Sequence, residues 1–265
     1  MTEWWRQLRS RSRLLADLGA AHLALSVLFL LLIALDSETI LGINRWIKPF
    51  KFASSIAIFV WTAGWLLGYL EDAERQRRLI ARGITLALVT EMVLITMQAA
   101  RGTTSHFNVA SGAFNAVVFS IMGIMILFNT FLVAALARLY FIQRPPIGDG
   151  LLFGIRYGLL IFICASAEGV VMVRHLAHTV GATDGGPGLP LINWSTVAGD
   201  LRVAHFVGLH ALQLLPLTGW VVDRLGSAMT TGRRKTLISS LAVPYAVAFV
   251  WLLESALAGR PLLRV

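Results

Sequence analysis

LLADLGAAHLALSVLFLLLIAL, residues 14–35, runs for 22 residues with a single charged side chain, Asp17, near its start. Crossing about 30 Å of hydrocarbon takes about 20 mainly apolar residues, so this stretch is long enough to span a bilayer as a helix. Six further runs meet the same standard: 52–70, 79–100, 113–137, 154–177, 201–222 and 236–258. Each is continuously apolar and rich in Leu, Ala and Ile. A β-barrel would instead show alternating segments of about ten residues. Helices are therefore the spanning element, because they satisfy every backbone polar group within the segment.

The fold class expected is all-α: a polytopic membrane protein with seven transmembrane helices, multi-pass in the cell (inner) membrane. Residues 1–13 form a cytoplasmic interfacial segment, 14–258 the seven-helix domain and 259–265 an outer tail. The arginines at 6, 9, 11 and 13 ahead of the first run resemble the start of a signal peptide. The run is too long for that, and no small-residue cleavage pattern follows it, so it reads as a retained helix.

Composition agrees with the bilayer as solvent. The mean hydropathy is +0.72, with 57% hydrophobic and 14% charged residues. Cys164 is the one cysteine, which removes internal disulfides and CxxC-type sites and leaves any metal to His, Glu or Asp. The net charge of +9 is accounted for by topology, with no nucleic acid partner. Of the 23 Lys and Arg, 15 fall on the N-terminal face of the spans and 8 on the other. Basic residues near span ends favour the cytoplasm, so the N-terminus is expected inside and the C-terminus outside.

The polar residues are unevenly shared between the faces. Lys48, Lys51, Arg101, His106, Arg174, His175, His178, Arg202 and His205 gather toward the outer side, while Glu91, Glu168 and His210 lie deep in their spans. Ionisable groups at that depth cost about 2.5–3.5 kcal/mol each and normally turn toward partners, water or ligand. Glu168 and His175 stand seven apart, about 20° from alignment on a helix, with His178 three further on. The Gly- and Pro-rich stretch 181–190 and the polar stretch 102–112 read as loops able to cover such a site.

Imidazoles beside carboxylates suit a divalent transition metal such as zinc, iron or copper, which activates water for hydrolysis or oxidation. On that reading Glu168, His175, His178 and His205 are the metal ligands. Glu91 and His210 are the catalytic, proton-handling groups, and Lys51, Arg101, His106 and Arg202 bind an anionic substrate. A lipid or lipid-soluble molecule entering from the lipid bilayer is the expected substrate; the oligomeric state is left open. Haem b, held by His210 with His175 or His178, is one alternative. A proton-coupled transporter, using the buried Glu and His as relays, is another. In span count, and in pairing several histidines with an acidic residue, the chain resembles the superfamily of alkaline ceramidases and progestin-type receptors, which implies a zinc-dependent lipid amidase. That family's HxxxH is missing from the last span, so none of its residues is carried over.

Overall fold

The computed structural model describes residues 2–226 and 228–264. Among the described residues seven helices are long and apolar enough to cross a membrane, and a further short α-helix precedes them. The chain divides into two compact units, Met1–Leu136 and Ala137–Val265.

In the first unit, α1 (Glu3–Arg11) and α2 (Arg13–Leu35) are separated by a break at Ser12, whose side chain accepts from the Leu15 N–H and so caps α2. Leu8 of α1 is fully buried, so the expected interfacial segment is a folded helix packed on its neighbours. A short hairpin follows, β1 (Thr39–Ile40) and β2 (Ile43–Asn44), in antiparallel register. Its turn residues Leu41 and Gly42 both have positive φ, 51° and 76°, as a tight two-residue hairpin loop demands. Asp36 pins this hairpin. It accepts from the Glu38 N–H at 3.0 Å, the Trp46 indole at 2.7 Å and Arg45 at 2.7 Å, and these bonds hold its carboxyl below the ordinary value.

Next come α3 (Ile47–Leu67), a 3-10 turn at Glu71–Ala73, α4 (Glu74–Ala100) and the larger part of α5 (Ala113–Ile142). Helix α3 starts five residues before its apolar run. Pro49 sits in the first turn, where a missing N–H costs nothing, and hydropathy marks the hydrocarbon rather than the helix end.

The second unit holds the end of α5, then α6 (Asp149–His175), α7 (Leu201–Leu225) and α8 (Thr231–Leu257), with a two-strand pairing of β3 (Thr179–Val180) and β4 (Gly199–Asp200). Helices α6 and α7 meet at backbone distance. A Cβ on Gly154 would lie 2.3 Å from the Leu215 carbonyl oxygen, one on Gly158 2.7 Å from that of Ala211, and one on Gly219 2.2 Å from that of Gly150. Lipid tails are as apolar as leucine, so helices in a bilayer gain from close backbone packing rather than from escaping water. Asp223 completes the contact by accepting the free N–H groups of Gly150 and Leu151 at the start of α6, at 2.9 and 2.7 Å. Leu28 and Leu31 of α2 in the first unit and Val243 and Val247 of α8 in the second are exposed, as a lipid solvent permits.

The glycine seam carries a consequence for stability. Gly154→Val forces backbone, not a flexible side chain, to move, and overpacking of this kind costs about 1–3 kcal/mol. Thermal unfolding in detergent is expected to show a clear fall in Tm for Gly154→Val. Gly123→Ala, with nothing within 4 Å of the added Cβ, should leave it unchanged or slightly raised.

Candidate functional site

Each unit contains one fully enclosed glutamate with an imidazole as its near polar neighbour. In the first unit Glu91 lies on α4 at 0% exposure, and neither carboxylate oxygen has a hydrogen-bond partner. His106 Nε2 stands 3.6 Å from its Oε1. The same ring accepts at Nδ1 from Lys48 Nζ of α3 at 3.1 Å, with Ser105 Oγ also 3.1 Å away. An ammonium only donates, so Nδ1 is the acceptor and the proton of a neutral ring sits on Nε2, facing Glu91. Phe52, Phe107 and Phe119 surround the imidazole with ring centroids 5.9–6.2 Å away.

His106 reaches this place because its loop is tied down. Gln98, buried on α4 two turns beyond Glu91, donates to the Thr104 carbonyl at 3.3 Å and to Asn115 of α5 at 3.0 Å. Arg101 donates to Gln98 at 2.7 Å and to Asn115 at 3.1 Å, and its guanidinium lies 4.4 Å from the Phe114 ring centre. Asn108 donates to Thr103 at 2.9 Å and to the Thr104 carbonyl at 3.0 Å. The stretch 102–112, expected as a cover, is thus a bonded loop that presents one histidine.

In the second unit Glu168 of α6 is 3% exposed, and its two oxygens are likewise without hydrogen bonds. His205 of α7 places Nδ1 3.4 Å from Glu168 Oε2 and 2.8 Å from the Ala165 carbonyl. A carbonyl only accepts, so Nδ1 carries the proton and leans toward both oxygens. Small residues make this reach possible: a Cβ on Gly208, one turn beyond His205, would lie 2.4 Å from the Ala165 Cβ.

The remaining expected ligands go elsewhere. His178 Nδ1 is 2.7 Å from Asp184 Oδ2, and its backbone N–H donates to the same carboxylate at 3.1 Å. Asp184 also accepts the Thr179 N–H at 2.9 Å. Burial acts to raise the Asp184 carboxyl, but the bonds and charge of His178, with help from Thr179, hold it well below the carboxylate range. His175 is exposed at the end of α6, where Leu176 turns into the left-handed region at φ 50°. Among the described residues no three His, Cys or acidic side chains are grouped to hold a metal ion. The expected four-ligand set is therefore represented by one pair, Glu168 and His205. Glu168, His175 and His178 would share a stripe only on a helix continuous through His178, and α6 stops at His175.

The anion contacts are also engaged. Arg202 donates to Asp200 from Nε at 2.9 Å and from Nη2 at 2.6 Å, while Asp200 caps α7 and accepts the Ser195 N–H at 2.8 Å. Lys51 is half-buried in the first turns of α3. His210 Nδ1 donates to the Phe206 carbonyl one turn back at 2.7 Å, with its ring 4.0 Å from that of Phe206. His22 donates likewise to the Leu18 carbonyl at 2.9 Å, as a packed helix side chain does. Asp184 and Lys48 were the partners that helical spacing could not assign, since one lies six residues away in a glycine-rich loop and the other on a different helix.

No family model matches this chain, nor does any curated protein or solved structure.

The Asp184 contacts give a pH dependence. A carboxyl lowered by folding stabilises the folded loop above its unfolded value, about 3.9, and that contribution is lost as pH falls toward the lower folded value. The protection of the His178 and Thr179 amides, measured as hydrogen exchange relative to the intrinsic rate at each pH, is expected to fall below about pH 4. In Asp184→Asn the two amides should be less protected throughout, with that acid step gone.

Proposed function

We propose that the protein is a multi-pass membrane protein that binds and releases protons at two embedded carboxylate–imidazole pairs, Glu91–His106 and Glu168–His205, as a proton-coupled transporter. One observation carries this reading. Two enclosed glutamates have no hydrogen bond at either oxygen, yet each has a histidine nitrogen at 3.4–3.6 Å. A structural carboxylate is normally satisfied by donors, because an unpaired one in hydrocarbon is costly. Carboxylate and imidazole exchange a proton over about 2.6–3.2 Å or through one water, a closure of under about 1 Å from this separation, and intramembrane Glu and His mark proton relays. Lys48 extends the first pair toward the N-terminal start of α3, giving the order Lys48, His106, Glu91. The charge asymmetry of the sequence supports an inner-membrane setting with the N-terminus in the cytoplasm.

A metal-dependent enzyme acting on a lipid or lipid-soluble substrate is the second reading, favoured by the unoccupied lone pairs of Glu168 beside His205. It would need His178 or His175 to join them. Haem b would draw on His210, His175 or His178. Stoichiometric zinc, iron or copper in the purified protein, lost in His205→Ala, would favour the metal reading; a Soret band would favour haem.

The transporter reading is tested in proteoliposomes carrying an internal pH dye under an imposed proton gradient. The wild-type protein is expected to dissipate the gradient several-fold faster than protein-free vesicles, with Glu91→Gln and Glu168→Gln each returning the rate toward that of empty vesicles. A wild-type rate equal to the empty control, or Gln variants at full rate, would contradict it. The carboxylates have no hydrogen bonds to lose, so Glu91→Leu and Glu168→Leu should match or exceed the wild-type Tm, the pattern of a group kept for function rather than stability.

A further inference from the structure

A second feature stands apart from both glutamate pairs. Trp4 and Trp5 of α1 meet Trp61 of α3 edge to face, with centroids 5.3 and 6.5 Å away and planes 82° and 77° apart. Trp61 is fixed in turn, its indole N–H donating to the Ala16 carbonyl at 3.1 Å and its ring packed on Gly19. Between this trio and α2 runs an open groove of about 430 Å³, lined on the α2 side by Ala20 and Ala24 between Leu23 and Val27. Ala20 and Ala24 lie one turn apart, so two small side chains leave the channel that larger ones would fill. From Ala20 to Val27 it follows α2 for about 10 Å, at 1.5 Å per residue.

What fills such a groove is set by its surroundings. Helix α2 is a membrane span, so the groove opens toward hydrocarbon, and Leu23 and Val27 on its rim are exposed at 47% and 55%. Helix α1, whose Trp4 and Trp5 line the groove, and the first residue of α2 bring Arg6, Arg9 and Arg13 nearby in the chain against only Glu3 and Asp17, while Arg11 lies over the Trp65 and Tyr69 rings. Arg6 pairs with Glu3, and Arg9 and Arg13 with Asp17. The Arg6 and Arg13 side chains remain 61% and 79% exposed, and pairs so open to solvent are weak enough to exchange for a stronger anion. Indole rings beside arginines also suit the depth at which head groups meet acyl chains.

We infer that this groove is a binding site for one anionic phospholipid of the bilayer, with an acyl chain lying along α2 against the three tryptophans and the phosphate at Arg6 and Arg13. The lipid would clamp α1 onto α2 and α3 and tie the fold of the first unit to membrane composition. The site does not depend on the proton-handling reading.

Native mass spectrometry of the full chain tests it, after exchange into mixed phosphatidylglycerol and phosphatidylcholine micelles. One phosphatidylglycerol per chain is expected to survive activation in clear preference to phosphatidylcholine. Ala24→Phe, which fills the groove, should abolish that species. The Arg6→Gln/Arg13→Gln double variant, altered only at exposed positions, should weaken retention of phosphatidylglycerol about thirtyfold and leave phosphatidylcholine unaffected, from a contribution of about 1 kcal/mol per basic residue. Equal retention of the two lipids by the wild type would overturn the proposal, as would undiminished phosphatidylglycerol retention in the double variant. Should Ala24→Phe fail to fold, the double variant alone decides.

Discussion

A carboxyl group in hydrocarbon with nothing to hydrogen-bond its oxygens is the constraint on which the site depends. Such a group is expensive, about 2.5–3.5 kcal/mol on the insertion scale, and is held only where something compensates or some task requires it. At both Glu91 and Glu168 the chain answers with an imidazole, and much of the local structure exists to deliver that ring. Gln98, Asn115 and Arg101 fasten the loop that carries His106. Gly208 lets α7 approach Ala165 closely enough for His205 to reach the α6 backbone.

The two pairs use different means to the same chemistry. In the first unit the histidine comes from a loop and takes a lysine on its far nitrogen, which sets its tautomer with Nε2–H toward the acid. In the second it comes from a neighbouring helix, with Nδ1–H bonded to a carbonyl and 3.4 Å from the carboxylate. The first arrangement is linked outward through Lys48 at the start of α3. The second is anchored by close helix packing at Gly208 and Ala165.

Much of the fold was legible in the sequence because hydrocarbon imposes a length. Every apolar run of about 20 residues became a helix, from 14–35 to 236–258. Helix ends were less legible: α3, α6 and α8 each begin about five residues before their apolar runs, since polar residues such as Asp149 and Arg233 continue the helix into the interface. The deep glutamates stood out by their cost alone. Their partners did not, because helical periodicity orders residues on one helix and is silent on contacts between helices and loops. Glu168 was therefore aligned with His175 and His178 on its own stripe and grouped with His205 only as a fellow ligand; of the three, His205 of α7 is the neighbour. His178 turned to Asp184 because the chain reverses just after His175 and brings that carboxylate back onto its ring and backbone. Glu91 was visible, and His106 was visible, but nothing in their spacing joined them.

Infrared difference spectroscopy of the protein in lipid nanodiscs, read in the protonated-carboxyl region while pH is varied, reports directly on the two glutamates. The account predicts two pH-dependent carboxyl bands, one missing in Glu91→Gln and displaced in His106→Gln, the other missing in Glu168→Gln and displaced in His205→Gln. A spectrum in which neither Gln substitution removes a band, or in which the bands ignore loss of the histidines, would contradict it.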